Sequence, residues 1–306
     1  MTRYRNLSLF LVLAAVWGSA FMAINAGLEY FPPVLFAAIR YDVAGVIMLA
    51  YAAYVVDDPI PRGRGEWTLV AIGAVLLIAA YHALLFVGQE DPAVTSAVAA
   101  VIVSLSPVLT TAFARALLPS ERLTLIGVLG LLVGLVGAVV LAAPDPANLT
   151  GDGAVAKVLV FLAATAFALG AVLTRAVDAE MPIETMEAWS MLFGALIMHV
   201  VAVGLGESVS SIAWTTEAVL SLAYLAIAAS AVGFLIYFRL LERVGPIEIN
   251  LVSYVAPVFA ALSGWVFLSE GIAATTVIGF LLICVGFALV KRSTIRDELR
   301  RRGIGS

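Results

Sequence analysis

The sequence predicts an all-α polytopic membrane protein, ten transmembrane helices arranged as two inverted five-helix repeats. Three observations predict it. Of 306 residues, 63% are hydrophobic and 12% charged, with a mean hydropathy of +1.08, a composition with which no water-soluble domain stays dispersed. Ten apolar runs are long enough to cross about 30 Å of hydrocarbon, which takes roughly 20 residues of helix. The second half also repeats the first. Trp17/Phe167, Pro32/Pro182 and Pro107/Pro257 stand 150 positions apart, and Glu121/Glu270, Gly130/Gly279 and Gly137/Gly286 stand 149 apart. With an odd number of crossings in each copy, the second copy enters the bilayer upside down.

Taken in order, the apolar runs cover residues 7–26, 34–55, 67–88, 93–117, 123–142, 154–174, 184–205, 217–238, 246–268 and 274–290. The first follows Arg3 and Arg5 as a signal peptide would, but its length argues for an uncleaved span. Short turn-forming connections separate the runs, such as Tyr30-Phe31-Pro32-Pro33. The organisation expected is a first repeat over 1–143, an inter-repeat loop over 144–153, a second repeat over 154–290 and a basic tail over 291–306. Gly127, Gly130, Gly134 and Gly137 in the fifth run, with Gly279 and Gly286 in the tenth, let helix backbones approach closely. Packing within the chain is the first reading, and a homodimer interface through these outer helices the second. Cys284 is the only cysteine, so neither a disulfide nor a cysteine-based metal site is expected. Nor is any cofactor or nucleic-acid partner.

Basic residues fix the orientation, because they are retained on the cytoplasmic side of short loops. With the N-terminus inside, every Lys and Arg except Lys157 and Arg40 is cytoplasmic, which is 15 of the 17. Both termini are then cytoplasmic and the chain is a multi-pass protein of the cell membrane. Lys157 sits at the outer start of the sixth run, and Arg40 lies within the second.

In Trp17-Gly18-Ser19-Ala20-Phe21, Arg40-Tyr41, Ser106-Pro107, Ser120-Glu121-Arg122-Leu123, Ala256-Pro257 and Leu268-Ser269-Glu270, the chain resembles an EamA-type member of the drug/metabolite transporter superfamily over nearly its full length. The resemblance implies a secondary carrier or exporter of small organic metabolites, with a central cavity between the halves. Phe167 departs from it, standing where the first copy has tryptophan.

Mid-span prolines locate the candidate site. Pro107 and Pro257 each free the carbonyl four residues earlier, at Val103 and Ser253, and a bare carbonyl cannot face lipid. Paired interruptions at equivalent positions point to a carrier's binding site. Ser104 on the fourth span, with Asn250, Ser253 and Tyr254 on the ninth, forms polar stripes beside those breaks, and Trp17, Tyr81 and Tyr224 offer aromatic walls. The competing reading is packing and interhelical hydrogen bonding by the same residues. Arg40 and Asp42, about 9 and 12 Å below the outer surface at 1.5 Å per residue, point to opposite sides of their helix, so each needs a partner elsewhere. Arg40 is read as an anchor for an anionic substrate group or as a structural bridge. His82 joins the substrate-binding candidates. Asp42, Glu187 and His199 are candidates for proton coupling. Glu121 and Glu270 are expected to cap the helices that follow them.

Other function classes fare less well. Neither paired Asp-rich motifs nor His-Glu-x-x-His occurs, so an intramembrane lipid-modifying enzyme is disfavoured, and no phosphate-binding loop is present. A channel-like facilitator is the nearer alternative. A carrier for a small molecule, alternating between the two faces of the bilayer, suits a doubled chain better.

Overall fold

The computed structural model describes residues 2–117, 125–142, 153–244, 249, 252–290 and 292. These residues contain no strand, and each of the ten apolar runs is helical over most of its described length. The helices are α1 (Thr2–Leu28), α2 (Pro33–Val55), α3 (Arg64–Gln89), α4 (Ser96–Leu117), α5 (Leu125–Ala142), α6 (Ala154–Ala176), α7 (Ile183–Gly204), α8 (216–244), α9 (Val252–Leu268) and α10 (Ala274–Val290). Seven of them, α1 to α4 and α6 to α8, are long and apolar enough to cross a membrane, while α5, α9 and α10 are shorter apolar helices.

Local chemistry accounts for the boundaries. Helix α2 opens with Pro33 in its first turn, where a missing N–H costs nothing and φ is already helical. Thr95 and Thr215 cap α4 and α8, their hydroxyls accepting from Val98 N at 3.3 Å and Ala218 N at 3.2 Å. The two prolines behave differently. Helix α4 is interrupted between Val103 and Ser106, and the Ser106 hydroxyl satisfies the Val103 carbonyl at 2.7 Å. Helix α9 runs through Pro257 unbroken. In their place, matched distortions appear in α3 and α8. Residues Gly73–Ala80 and Tyr224–Val232 form π-helical turns, and a shift of 150 carries the first onto 223–230. Such turns widen a helix and leave carbonyls for other partners.

The halves are interleaved. The most extensive pairings join α5 with α10, α2 with α7, and α1 with α9, and all of these cross between the halves. The pairings come in counterparts: α1–α9 is matched by α6–α4, α3–α7 by α8–α2, and α3–α6 by α8–α1. The halves therefore pack against each other through most of their helices. Tight approach depends on glycine. A methyl group on Gly286 would stand 2.6 Å from the Gly130 carbonyl, and one on Gly137 would stand 2.8 Å from the Gly279 carbonyl. The glycine faces of α5 and α10 are therefore spent on each other within the chain.

Replacing Gly286 by valine should cost about 1–3 kcal/mol, because the α5–α10 backbones have no room to give. A thermal melt of the purified protein checks this, with Leu281→Val on the exposed face of α10 expected to leave the midpoint unchanged.

Candidate functional site

A polar cluster lies where α2, α3 and α8 meet. Arg40 is 6% exposed. Its Nε donates to the Ser230 hydroxyl at 3.1 Å in the π-helical turn of α8, and its guanidinium carbon lies 5.1 Å from the centre of the Tyr41 ring. The Tyr41 hydroxyl, fully enclosed, meets His82 Nε2 on α3 at 2.6 Å, and His82 Nδ1 meets the Ile78 carbonyl at 2.9 Å in the π-helical turn of α3. With its Nδ1 against a carbonyl, the neutral imidazole carries its proton there and Nε2 accepts from tyrosine. Tyr81 sets its ring 4.5 Å from His82 and 5.3 Å from Phe167 of α6.

Charge balance makes this cluster unusual. Among the described residues, no carboxylate forms an ion pair with Arg40. Glu187 of α7 lies within electrostatic reach of Tyr41 and Tyr237, and among the described residues its carboxylate forms neither a hydrogen bond nor an ion pair. An uncompensated charge inside a low-dielectric medium is costly. Arg40 is such a charge, buried without a paired carboxylate among the described residues.

Aromatic residues extend the cluster along α1 and α8. The Trp17 indole donates to the Ala229 carbonyl at 3.0 Å, within the π-helical turn, and the ring packs on Tyr237 at 5.6 Å and against the edge of Phe234 at 5.8 Å. Tyr224 reaches Ser19 at 2.6 Å. Trp17 and Tyr224 therefore border the cluster, but both spend their polar atoms on helix contacts.

The remaining candidates divide. Ser104 returns its hydroxyl to the Val101 carbonyl at 2.6 Å. Tyr254 sets its ring on Phe287 of α10 at 4.5 Å. Pro107 is half-buried, Pro257 is buried in α9, and Ser253 is half-buried one turn before it. Asn250 lies outside the described residues. The proline-bearing helices thus form a group apart from Arg40, Tyr81 and His82. Asp42 finds its partner in His199, Oδ2 to Nε2 at 2.7 Å, both half-exposed on the α2–α7 pair. Neither they nor Glu187 shares a contact with the other.

One end of the molecule is tied shut. Glu270, after α9, accepts from Ser96 N at 3.0 Å, Ser96 Oγ at 2.8 Å and Asn25 Nδ2 at 2.9 Å, and Gln89 donates to Asn25 Oδ1 at 2.6 Å. The expected cap on the following helix is corrected: Glu270 caps α4, in the other half. Glu121 lies outside the described residues. Two cavities flank the core. One of about 250 Å³ lies on the apolar side of α1 and α9, and one of about 380 Å³ lies between the end of α2 and the start of α7. Neither is lined by Arg40, which is buried.

Tyr41, Ser230 and Tyr237 had no part in the candidate list drawn from sequence. Tyr41 was visible in the Arg40-Tyr41 pair, and Ser230 is the lone hydroxyl in a run of alanines, but neither carries a motif of its own.

The helices and the buried charges define a multi-pass membrane protein that encloses a polar site. The chain belongs to the EamA-like transporter family, whose model matches residues 5–143 and again residues 155–292. It is 25% identical to the uncharacterized transporter YoaV of Bacillus subtilis over 89% of this chain and 91% of that one. It is 29% identical to the uncharacterized inner membrane transporter YedA of Escherichia coli K12, over 82% and 79%. A solved crystal structure shares the fold at a TM-score of 0.66 and 21% identity, covering 96% of this chain and 99% of the other. The protein is accordingly a transporter and not an enzyme.

Trp17→Phe keeps the ring contacts and removes the N–H, so it should lower stability by about 1 kcal/mol. Equilibrium unfolding of the detergent-solubilised protein measures it, and an unchanged stability would mean that the Ala229 carbonyl finds another donor.

Proposed function

We propose that this chain is a secondary transporter that exports small organic metabolites, amino acids and related compounds, by alternating access around Arg40. The observation that carries the reading is the buried guanidinium with no carboxylate paired to it among the described residues. A substrate carboxylate supplies the missing partner, since the planar fork of arginine suits two parallel N–H···O bonds. Glu187, within electrostatic reach of the same Tyr41, offers a carboxyl group to an ammonium group. Tyr81, Tyr237 and Trp17 supply the apolar walls.

In this reading all ten helices cross the bilayer, and the halves run in opposite directions. The matched pairing of helices supports an exchange of roles between the halves. The distribution of basic residues supports cytoplasmic termini, and the inner-membrane relative supports the cell membrane as location. Because the glycine faces of α5 and α10 fill each other, a homodimer would use another face. Near-equivalent halves let the two access states lie close in energy, so a few kcal/mol of differential substrate or ion binding shifts them.

Counterflow in proteoliposomes tests the proposal. Radiolabelled amino acids and organic acids should exchange against unlabelled compound, and methyl esters of the same compounds should not compete. Arg40→Gln should weaken exchange by about 10- to 100-fold, the range for losing a charge-assisted hydrogen bond, with Arg40→Lys in between. Undiminished exchange in Arg40→Gln would reject Arg40 as the anchor.

A further inference from the structure

The carboxylate ties at the two ends of the α2–α7 pair are not equivalent in this conformation. At the closed end, Glu207, three residues beyond α7, accepts from Val34 N at 3.1 Å and Leu35 N at 2.6 Å, the free N–H groups of the first turn of α2. It does what Pro32 in the cap position cannot, supplying negative charge to the positive end of the helix. A backbone bond from Ala213 N to the Tyr30 carbonyl at 3.0 Å joins the same two loops.

The internal repeat carries each of these groups to the opposite end. Subtracting 150 from Glu207 gives Asp57, two residues beyond α2, and adding 150 to Val34 and Leu35 gives Glu184 and Thr185, in the first turn of α7 behind Pro182. The contact itself is open there. Asp57 is exposed, with no hydrogen bond or ion pair among the described residues. It faces Pro182 and Thr185 across the cavity of about 380 Å³. Thr185 is 1% exposed, and its hydroxyl has no hydrogen-bond partner among the described residues. The neighbouring acids are engaged elsewhere: Asp58 pairs with Arg62 at 2.9 Å, and Glu66 accepts from Arg62 N at 2.7 Å. Midway along the pair, Gly45 presses against Leu192, leaving 3.2 Å from a built methyl to the Leu192 nitrogen. Two helices in close contact at the middle, tied at one end and parted at the other, can scissor.

We infer that Asp57 is a latch: in the alternate access state the α2–α7 pair closes at this end, and Asp57 caps α7 through the N–H groups of Glu184 and Thr185. Glu207 lets go of α2 in the same movement. The inference rests on the alternating-access reading above. Access for substrate then opens and closes at the two ends of one helix pair, each end held by a carboxylate supplied from the other helix of the pair.

Electron spin-echo distances in nanodiscs test it, on the full chain with Cys284→Ser and spin labels at Tyr54→Cys and Glu180→Cys, both exposed. The unaltered latch should give a short and a long distance. Asp57→Ala should deplete the short population about fivefold, the size of a typical N-cap contribution, and Glu207→Gln should enrich it by a similar factor. Asp58→Asn should change neither. If Glu207→Gln shifts the populations and Asp57→Ala does not, the latch is overturned while alternating access stands. A single distance in every variant overturns both.

Discussion

A guanidinium held inside the membrane without a paired carboxylate among the described residues is the constraint from which the arrangement of this protein follows. Nothing in hydrocarbon solvates such a group, so the chain must build polar surroundings for it from helices that have few polar residues to give. It does so with one serine, one tyrosine face and two helices whose turns widen to π geometry where they pass the charge. Ser230 and Ile78 both belong to those widened turns, and Ala229 there takes the Trp17 indole. The distortions in α3 and α8 thus contain backbone carbonyls that meet side chains, Ile78 with His82 and Ala229 with Trp17.

Interleaving explains how a pair of like halves can operate as a single machine. Each extensive helix pairing joins one half to the other, and each has a counterpart with the roles reversed. On the proposed alternating-access reading, a conformation that closes one end of the molecule has a partner conformation, built from the same interactions exchanged between halves, that closes the other. The carboxylates at helix starts express this most directly. Glu207 and Glu270 both come from the second half, and both cap helices of the first.

Much of the fold was legible in the residues. The ten apolar runs, their five-plus-five division and the glycine spacing of Gly130, Gly137, Gly279 and Gly286 follow from period and offset, and the glycines meet as their spacing allows. Arg40 and His82 were found by the expense of ionisable groups in a membrane and Tyr81 as an aromatic wall, and the structure brings them together. What escaped was what sequence pattern does not encode. The π-helical turns lie in runs of alanine and leucine that read as ordinary helix. Pro107 and Pro257 looked equivalent, yet one sits in a broken helix and the other in a continuous one, because Ser106 is there to satisfy the carbonyl freed in α4. Glu270 seemed to serve the next helix in the chain, but its partner lies 174 residues away, beyond the reach of local reasoning.

The central claim, that the Arg40 cluster opens to either face in turn, meets its most direct test in thiol labelling at Ser230→Cys with Cys284→Ser, using a small membrane-impermeant reagent. Labelling from outside in right-side-out vesicles and from inside in inverted vesicles is the result predicted. Protection from both sides, or reaction from one side only under every condition, would contradict it.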